Sequence, residues 1–150
     1  MMASIVFLSI STRQINEKTI LERHNYYRSQ VGVPPLKLSK ECQESAQKWA
    51  EYLAKRNNGL THSKNMKYGE NCFWSSAEAS EKLVVDRWAS EKKYFNTRTR
   101  KYSYKTGHYT QIIWRDTKYV GVGMAIANDG SEYWVCNYYP IGNYTNEKAY

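Results

Sequence analysis

The strongest constraint on the fold lies near the carboxyl end, where two strand-like runs flank a tight-turn signal. Residues 120–127 and 132–138 alternate in character, and Asn128-Asp129-Gly130 lies between them. An Asp-Gly step between such runs favours a β-hairpin, because glycine tolerates the positive φ that the turn requires. The sequence therefore predicts an antiparallel sheet built around this hairpin.

Helical signals precede this hairpin, which makes the predicted fold class α+β. Ser39 is a typical N-cap, and the stripe that follows it ends at Asn57-Asn58-Gly59. Leu83, Val84 and Trp88 are predicted to face inward from a later helix, and residues 61–75 are predicted to be mostly loop. Helices are predicted over residues 14–31, from Ser39 to the Asn-Asn-Gly stop, and over residues 76–94. Residues 107–114 are predicted to begin a short helical or turn segment.

The first residues of the chain differ in character from the rest. Residues 1–10 read MMASIVFLSI, which is apolar but lacks the basic start of a secretory signal. They suit either a poor or truncated signal or a short apolar arm that packs on the domain. We predict an N-terminal extension over residues 1–13 and one domain over residues 14–150, a length that fits one hydrophobic core.

The charge balance favours anionic partners. The chain has 22 Lys and Arg against 14 Asp and Glu, a net charge of +8. Such a charge attracts phospholipid surfaces, nucleic acid or polyanionic glycans, although a basic protein that is merely soluble has the same composition. No run approaches the roughly 18 apolar residues that a membrane span needs.

The cysteines are few and odd in number. Cys42, Cys72 and Cys136 allow at most one bridge within the chain. This count argues against a disulfide-based scaffold and favours a reducing compartment.

Two long motifs in the second half carry a family resemblance. GHYTQIIWRDT spans residues 107–117, and YWVCNYYPIGNY spans residues 133–144. With HNYYR at residues 24–28 and GEN at residues 69–71, they resemble the signatures of the CAP superfamily of cysteine-rich secretory, antigen-five and pathogenesis-related proteins. The likeness covers about residues 14–146. Cys72 departs from the pattern, since an aliphatic residue usually follows the GEN element.

The resemblance implies a fold and a branch of the family. The implied fold is a three-layer α-β-α sandwich with a small antiparallel sheet flanked by about four helices. The segment GVPPLKL at residues 32–38 and the absence of cysteine between Cys72 and Cys136 resemble the intracellular, Golgi-associated branch. We therefore expect a location at the Golgi or another membrane periphery, with secretion as the alternative.

The resemblance also implies a cleft lined by two histidines and two glutamates. Imidazole and carboxylate ligands suit Zn²⁺, here bound weakly and not needed for folding. From the residues alone, intervals of 8, 21 and 17 match no local metal motif, so a purely structural hydrogen-bond network stays open. The candidate metal residues are His62, Glu70, Glu91 and His108.

A basic, aromatic segment is the second candidate site. Residues 92–106 read KKYFNTRTRKYSYKT and contain no acid. Cations beside aromatic rings suit an anionic membrane surface. Nucleic acid is a less favoured target, and a solvated loop is the structural alternative. The candidate lipid-binding residues are Lys92, Lys93, Arg98, Arg100, Lys101, Tyr102, Tyr104 and Lys105.

These sites lead to three functional hypotheses. The first is a non-catalytic domain that binds anionic phospholipid membranes and holds a divalent cation in its cleft. The second is a secreted, venom-allergen-like effector that binds sterols or fatty acids. The third is a metal-dependent hydrolase, because histidine and glutamate ligands with a bound water can be catalytic. A Ser-His-Glu hydrolase that uses Ser63 is disfavoured, because the side chains of the neighbours His62 and Ser63 point apart. The resemblance permits a weak homodimer.

Overall fold

The predicted hairpin lies at the centre of the sheet. In the computed structural model, which describes residues 13–150, Gly130 occupies the turn with φ of +85°. The apolar run at residues 1–10 lies outside the described residues. The elements are α1 (Glu17–Gln30), β1 (Lys37–Leu38), α2 (Lys40–Arg56), β2 (Gly69–Ser75), α3 (Glu81–Ala89), a 3₁₀ helix (Ser90–Tyr94), α4 (Gly107–Ile113), β3 (Tyr119–Ile126) and β4 (Glu132–Tyr139).

The sheet has four strands in the order β1-β3-β4-β2. β4 pairs antiparallel with both β3 and β2, and the two-residue β1 adds a short parallel pair beside β3. The α+β class and the sandwich are confirmed, with a mixed sheet where a wholly antiparallel one was expected. Residues on β4 alternate between the two faces, as the strand period of two requires.

Helices cover both faces of this sheet. On one face, Ala46, Ala50 and Leu53 of α2 pack with Tyr133 and Val135. On the other face, apolar residues of α1, α3 and α4 share a larger core with alternate residues of β3 and β4. These two cores form the interfaces of the three-layer α-β-α sandwich.

Two glycines let α2 approach β3 closely. A Cβ atom at Gly121 would lie 2.0 Å from the Gln43 nitrogen, and one at Gly123 would lie 2.3 Å from the Gln47 nitrogen. Side chains at these positions would therefore collide with the helix backbone. At this short separation, the Gln47 side-chain amide donates to the Met124 carbonyl oxygen and accepts the Met124 backbone N–H, each at 3.0 Å.

The prediction of loop at residues 61–75 is wrong for its second half. Residues Gly69–Ser75 form β2, which pairs with β4 along its whole length. The segment GENCFWS has no clear alternation of apolar and polar residues, so its extended state depends on a partner distant in sequence. The third helix therefore begins later than the predicted residue 76, after the N-cap Ser80. It buries Val84, Val85 and Trp88, whereas Leu83 is 40% exposed.

The first helix buries two polar side chains beside its apolar ones. His24 is fully buried and hydrogen bonds the Ile20 carbonyl and the Tyr138 hydroxyl, both at 2.8 Å. Burial lowers the pKa of His24 to about 4, so it is neutral near pH 7. Arg28 is also fully buried, and burial lowers its pKa to about 10.

Arg28 joins α1 to the segment that follows α4. Its guanidinium donates only to backbone carbonyl oxygens, at distances from 2.7 to 3.3 Å. Five acceptors satisfy all five N–H donors of the guanidinium. This offsets the desolvation of a buried cation that has no carboxylate partner among residues 13–150. The acceptors belong to Pro34, Ile112, Trp114, Arg115 and Thr117.

The three cysteines are free and buried. Cys72 pairs with Val135 in the strand register, whereas Asn71 pairs with Cys136. The side chains of Cys72 and Cys136 therefore point to opposite faces of the sheet, which excludes a bridge between them. No helix within residues 13–150 has the length and apolarity to span a bilayer.

Candidate functional site

The four predicted metal residues lie on four different segments. His62 lies in the loop after α2, Glu70 on β2, Glu91 in the 3₁₀ helix and His108 in α4. The structure brings them together as two histidine–glutamate pairs, His62 with Glu70 and His108 with Glu91.

The His62–Glu70 pair joins an open histidine to a buried carboxylate. The His62 Nδ1 atom lies 2.8 Å from Glu70 Oε1, and the two side chains are 65% and 7% exposed. The same oxygen accepts the Ser63 backbone N–H at 2.9 Å and lies 3.5 Å from the Cys72 Sγ atom. The second oxygen accepts from the Asn137 amide at 3.4 Å.

Each partner of this pair favours the charged form of the other. The hydrogen bond to Glu70 raises the pKa of His62 above its ordinary 6.5, against the opposing effect of burial. Burial alone would raise the pKa of Glu70, but hydrogen bonds from His62 and Ser63 outweigh it and hold that pKa below 4.5. The pair is therefore an imidazolium–carboxylate pair in mildly acidic solution.

The Glu91–His108 pair is built into the start of α4. Glu91 Oε1 lies 2.6 Å from His108 Nδ1, and Glu91 Oε2 accepts the backbone N–H groups of His108 and Tyr109 at 2.8 and 3.1 Å. Thr106 at the N-cap supplies no side-chain bond of its own. Glu91 thus caps α4, since the first N–H groups of a helix lack partners within it.

Asn71 is a functional candidate that the sequence analysis missed. It is buried, and its amide donates to the His108 carbonyl and to the Tyr138 hydroxyl, both at 3.1 Å. Because Asn71 directly follows Glu70, it ties the strand that carries one pair to the helix that carries the other. The GEN element at residues 69–71 was the signal that could have found it.

Cys72 is the second missed residue. Within residues 13–150, the group of three potential ligand side chains whose atoms lie within 4.8 Å of one another is His62, Glu70 and Cys72. Burial, the main cause, raises the pKa of the Cys72 thiol, so the sulfur is protonated in the structure described. A cleft of about 230 Å³ lies beside this group, and its lining includes His62, Glu70, Met66 and both polar and apolar neighbours.

The basic loop, defined as residues 92–106, presents its cations outward, although its first three residues belong to the 3₁₀ helix. All six Lys and Arg side chains are exposed, and within residues 13–150 no carboxylate oxygen lies within 4.0 Å of any of them. Tyr104 is 82% exposed and lies beside Lys105, which is 5.8 Å from its ring centroid. Tyr102 is half-buried against the core near Gly107, so it offers less of its ring to a ligand.

The backbone of the basic loop is fixed at several points. The Asn96 side chain accepts the N–H groups of Arg98 and Thr99, and its carbonyl accepts that of Arg100. Arg100 has φ of +56°, a conformation that its carbonyl bond to the Ala149 N–H supports. Phe95 anchors the beginning of the loop by packing against Tyr109 and Tyr150.

Comparison with known proteins decides the family. Residues 21–138 match the Cysteine-rich secretory protein family, CAP. The chain belongs to the CAP family. This CAP chain is 44% identical over 131 residues to Golgi-associated plant pathogenesis-related protein 1 of Homo sapiens, an alignment that covers 85% of the chain and 84% of that relative.

Solved structures of other proteins share the CAP fold. The structure of NaASP2 with Zn²⁺ superposes with a TM-score of 0.76 at 23% identity, covering 95% of this CAP chain and 90% of the other. The Schistosoma mansoni venom allergen-like protein 4 superposes with a TM-score of 0.67 at 21% identity, covering 89% and 92% of the two chains. At these identities the likeness supports the fold.

Proposed function

We propose that this CAP protein attaches to anionic phospholipid membranes through the basic loop. The observation that carries the proposal is the set of six exposed cations without a carboxylate partner among the described residues. A charge that already pairs with a carboxylate gains little from a phosphate, whereas these charges are open to one.

The magnitudes favour a reversible attachment. A Lys or Arg side chain near an anionic leaflet contributes about 1 kcal/mol. Six such side chains on one fixed loop are sufficient for binding that responds to the salt concentration. The exposed rings of Tyr94 and Tyr104 add amphipathic groups that suit the headgroup region.

The proposed location is the Golgi or another membrane periphery, which agrees with the name of the human relative. A secreted, venom-allergen-like effector that binds sterols or fatty acids is the alternative, and the name of the Schistosoma protein is in its favour. A metal-dependent hydrolase would require turnover that disappears in His108→Ala and Glu70→Gln.

Vesicle co-sedimentation tests the membrane proposal. The full chain is mixed with phosphatidylcholine vesicles, with or without phosphatidylserine, at about 50 and about 200 mM salt. We expect binding to the anionic vesicles alone, weaker at the higher salt. The triple variant Arg98→Ala, Lys101→Ala, Lys105→Ala should bind about 100-fold more weakly, from three contributions of about 1 kcal/mol.

A matched control removes three exposed charges elsewhere. Lys37, Lys48 and Lys55 are exposed and lie outside the basic loop, so their triple alanine variant changes the net charge by the same amount. We expect this control to bind nearly as well as the unmodified chain. Equal weakening in both variants would assign binding to net charge, and no binding to anionic vesicles would reject the proposal.

A second candidate function is the binding of a divalent cation in the cleft. The two histidine–glutamate pairs favour it, because imidazole nitrogen and carboxylate oxygen are a suitable donor set for Zn²⁺. The proposed ligands are His62, Glu70, Glu91 and His108, and the ion would orient water or a polar ligand there. The solved relative with Zn²⁺ has the same fold.

A further inference from the structure

Cys72 places a sulfur atom beside the His62–Glu70 pair, at the buried end of the group. Its Sγ lies 3.5 Å from Glu70 Oε1, and the ligand atoms of His62, Glu70 and Cys72 all lie within 4.8 Å of one another. The three residues come from one loop and one strand. Glu70 and Cys72 are two apart on β2, so their side chains leave the same face of the sheet.

The strand holds Cys72 in position. Its partner in the register is Val135 of β4, and its carbonyl accepts the Trp88 indole N–H at 2.9 Å. The Cys72 side chain is therefore fixed beside Glu70 by backbone contacts on both edges of β2. His62, in contrast, is 65% exposed and gives the group an open side toward solvent.

We propose that His62, Glu70 and Cys72 form a site for a thiophilic divalent cation, with the Cys72 sulfur as a ligand. This inference rests on the second candidate function, cation binding in the cleft, and changes its ligand set. As the metal–sulfur bond forms, the thiol proton leaves to solvent. The site would then have three protein ligands, the number found in zinc sites that keep a fourth position for water.

The sulfur changes which metals the site prefers. Thiolate ligands favour Zn²⁺ and other soft or borderline ions, while Mg²⁺, Ca²⁺ and Mn²⁺ favour all-oxygen sites. One carboxylate and one thiolate together balance a divalent charge, which suits a group with a 7% exposed glutamate. The site therefore discriminates between cations more sharply than a His/Glu set does.

Cobalt titration of the full chain tests the proposal, because Co²⁺ bound to thiolate absorbs in the near ultraviolet. We expect this band in the unmodified chain and in Cys42→Ala, a control that removes a buried cysteine outside the group. The band should vanish in Cys72→Val, a substitution that suits a strand and retains an apolar side chain. Circular dichroism verifies that each variant is folded.

Zinc competition against a chromogenic chelator supplies the second readout. Cys72→Val should weaken Zn²⁺ binding by about tenfold or more. Even the loss of a residue that only hydrogen bonds a metal ligand typically lowers metal affinity by about 10–100-fold. Glu91→Gln and His108→Ala should change the Zn²⁺ affinity less. Unchanged Zn²⁺ affinity and an unchanged cobalt spectrum in Cys72→Val would overturn the inference.

The outcomes separate this inference from the proposal on which it rests. If Zn²⁺ binds but the cobalt-loaded chain shows no thiolate band, and if Glu91→Gln and His108→Ala weaken Zn²⁺ binding, the His/Glu cleft is supported. The sulfur site is then rejected. If the unmodified chain binds neither Zn²⁺ nor Co²⁺, both are rejected. Membrane attachment is independent of either result.

Discussion

The two histidine–glutamate pairs use the same residue types for different purposes. In the Glu91–His108 pair, both carboxylate oxygens are engaged by α4, one by the imidazole and the other by two backbone N–H groups. In the His62–Glu70 pair, the carboxylate is more deeply buried than Glu91, while its histidine is the more exposed of the two.

The difference shows that a motif can specify a pairing without specifying its role. Glu91 stabilises the start of α4, and binding a metal would break its hydrogen bonds to the backbone N–H groups of that helix. Glu70 stabilises a loop and has a histidine and a sulfur beside it, so its surroundings are better suited to a ligand. We therefore regard the Glu91 side as mainly structural and the Glu70 side as the better candidate for binding.

The largest expected effect follows the removal of the helix cap. Glu91→Ala leaves the His108 and Tyr109 N–H groups without their acceptor, and we expect it to lower the free energy of unfolding by about 2 kcal/mol. Glu70→Ala should lower it by about 1 kcal/mol, because only one backbone N–H depends on it. Denaturant unfolding of both variants measures the difference, and a reversed order would contradict the structural assignment.

A smaller loss of stability is expected when the link between the two pairs is removed. Asn71→Ala removes two hydrogen bonds of a buried amide, so we expect a loss of about 1–2 kcal/mol in the free energy of unfolding. Asn65→Ala is the control, since Asn65 is exposed and bonds only the nearby Lys67 N–H. A loss no larger than that of the control would show that Asn71 does not join the pairs.

The smallest effect is electrostatic and depends on pH. The raised pKa of His62 makes its contribution to stability complete below pH 6.5, and that contribution is lost as the pH rises through the folded-state value. The lowered pKa of Glu70 makes its contribution complete above pH 4.5, and that contribution is lost as the pH falls through the folded-state value. The pair therefore stabilises most between about pH 4.5 and 6.5.

Proton NMR titration checks this prediction directly. Glu70→Gln should lower the pKa of His62 toward 6.5, since it removes the carboxylate that favours the imidazolium. His24, with its pKa lowered to about 4, should not titrate near pH 7 and serves as an internal control. An unchanged His62 titration in Glu70→Gln would mean that the pairing is absent in solution.

Local signals allowed much of the fold to be predicted. The Asp-Gly turn places Gly130 at a positive φ, and Ser39 caps α2 by accepting the Cys42 N–H, as their sequence positions indicated. Strand β2 could not be predicted in the same way, because its partner lies some 60 residues away and its own residues do not alternate. The burial of His24 and Arg28 was missed for a related reason, since Tyr138 and the carbonyl oxygens that Arg28 bonds lie beyond α1.

The candidate site was predictable only through resemblance. The sequence intervals between its histidines and glutamates match no local metal-binding motif. The two pairs form where a strand, a loop and two short helices meet. By its position after the GEN element, Cys72 stands where the family usually has an aliphatic residue. Only the structure shows that its sulfur lies beside Glu70 and on the opposite face from Cys136.

The buried Arg28 has a consequence for acid tolerance. Ion pairs in a protein interior weaken when their carboxylates take up protons, and acid unfolding commonly begins there. Arg28 bonds five backbone carbonyl oxygens, none of which titrates, and its pKa of about 10 keeps it charged throughout the acidic range. The hydrogen bonds that hold the first helix to the segment after α4 therefore do not weaken on acidification.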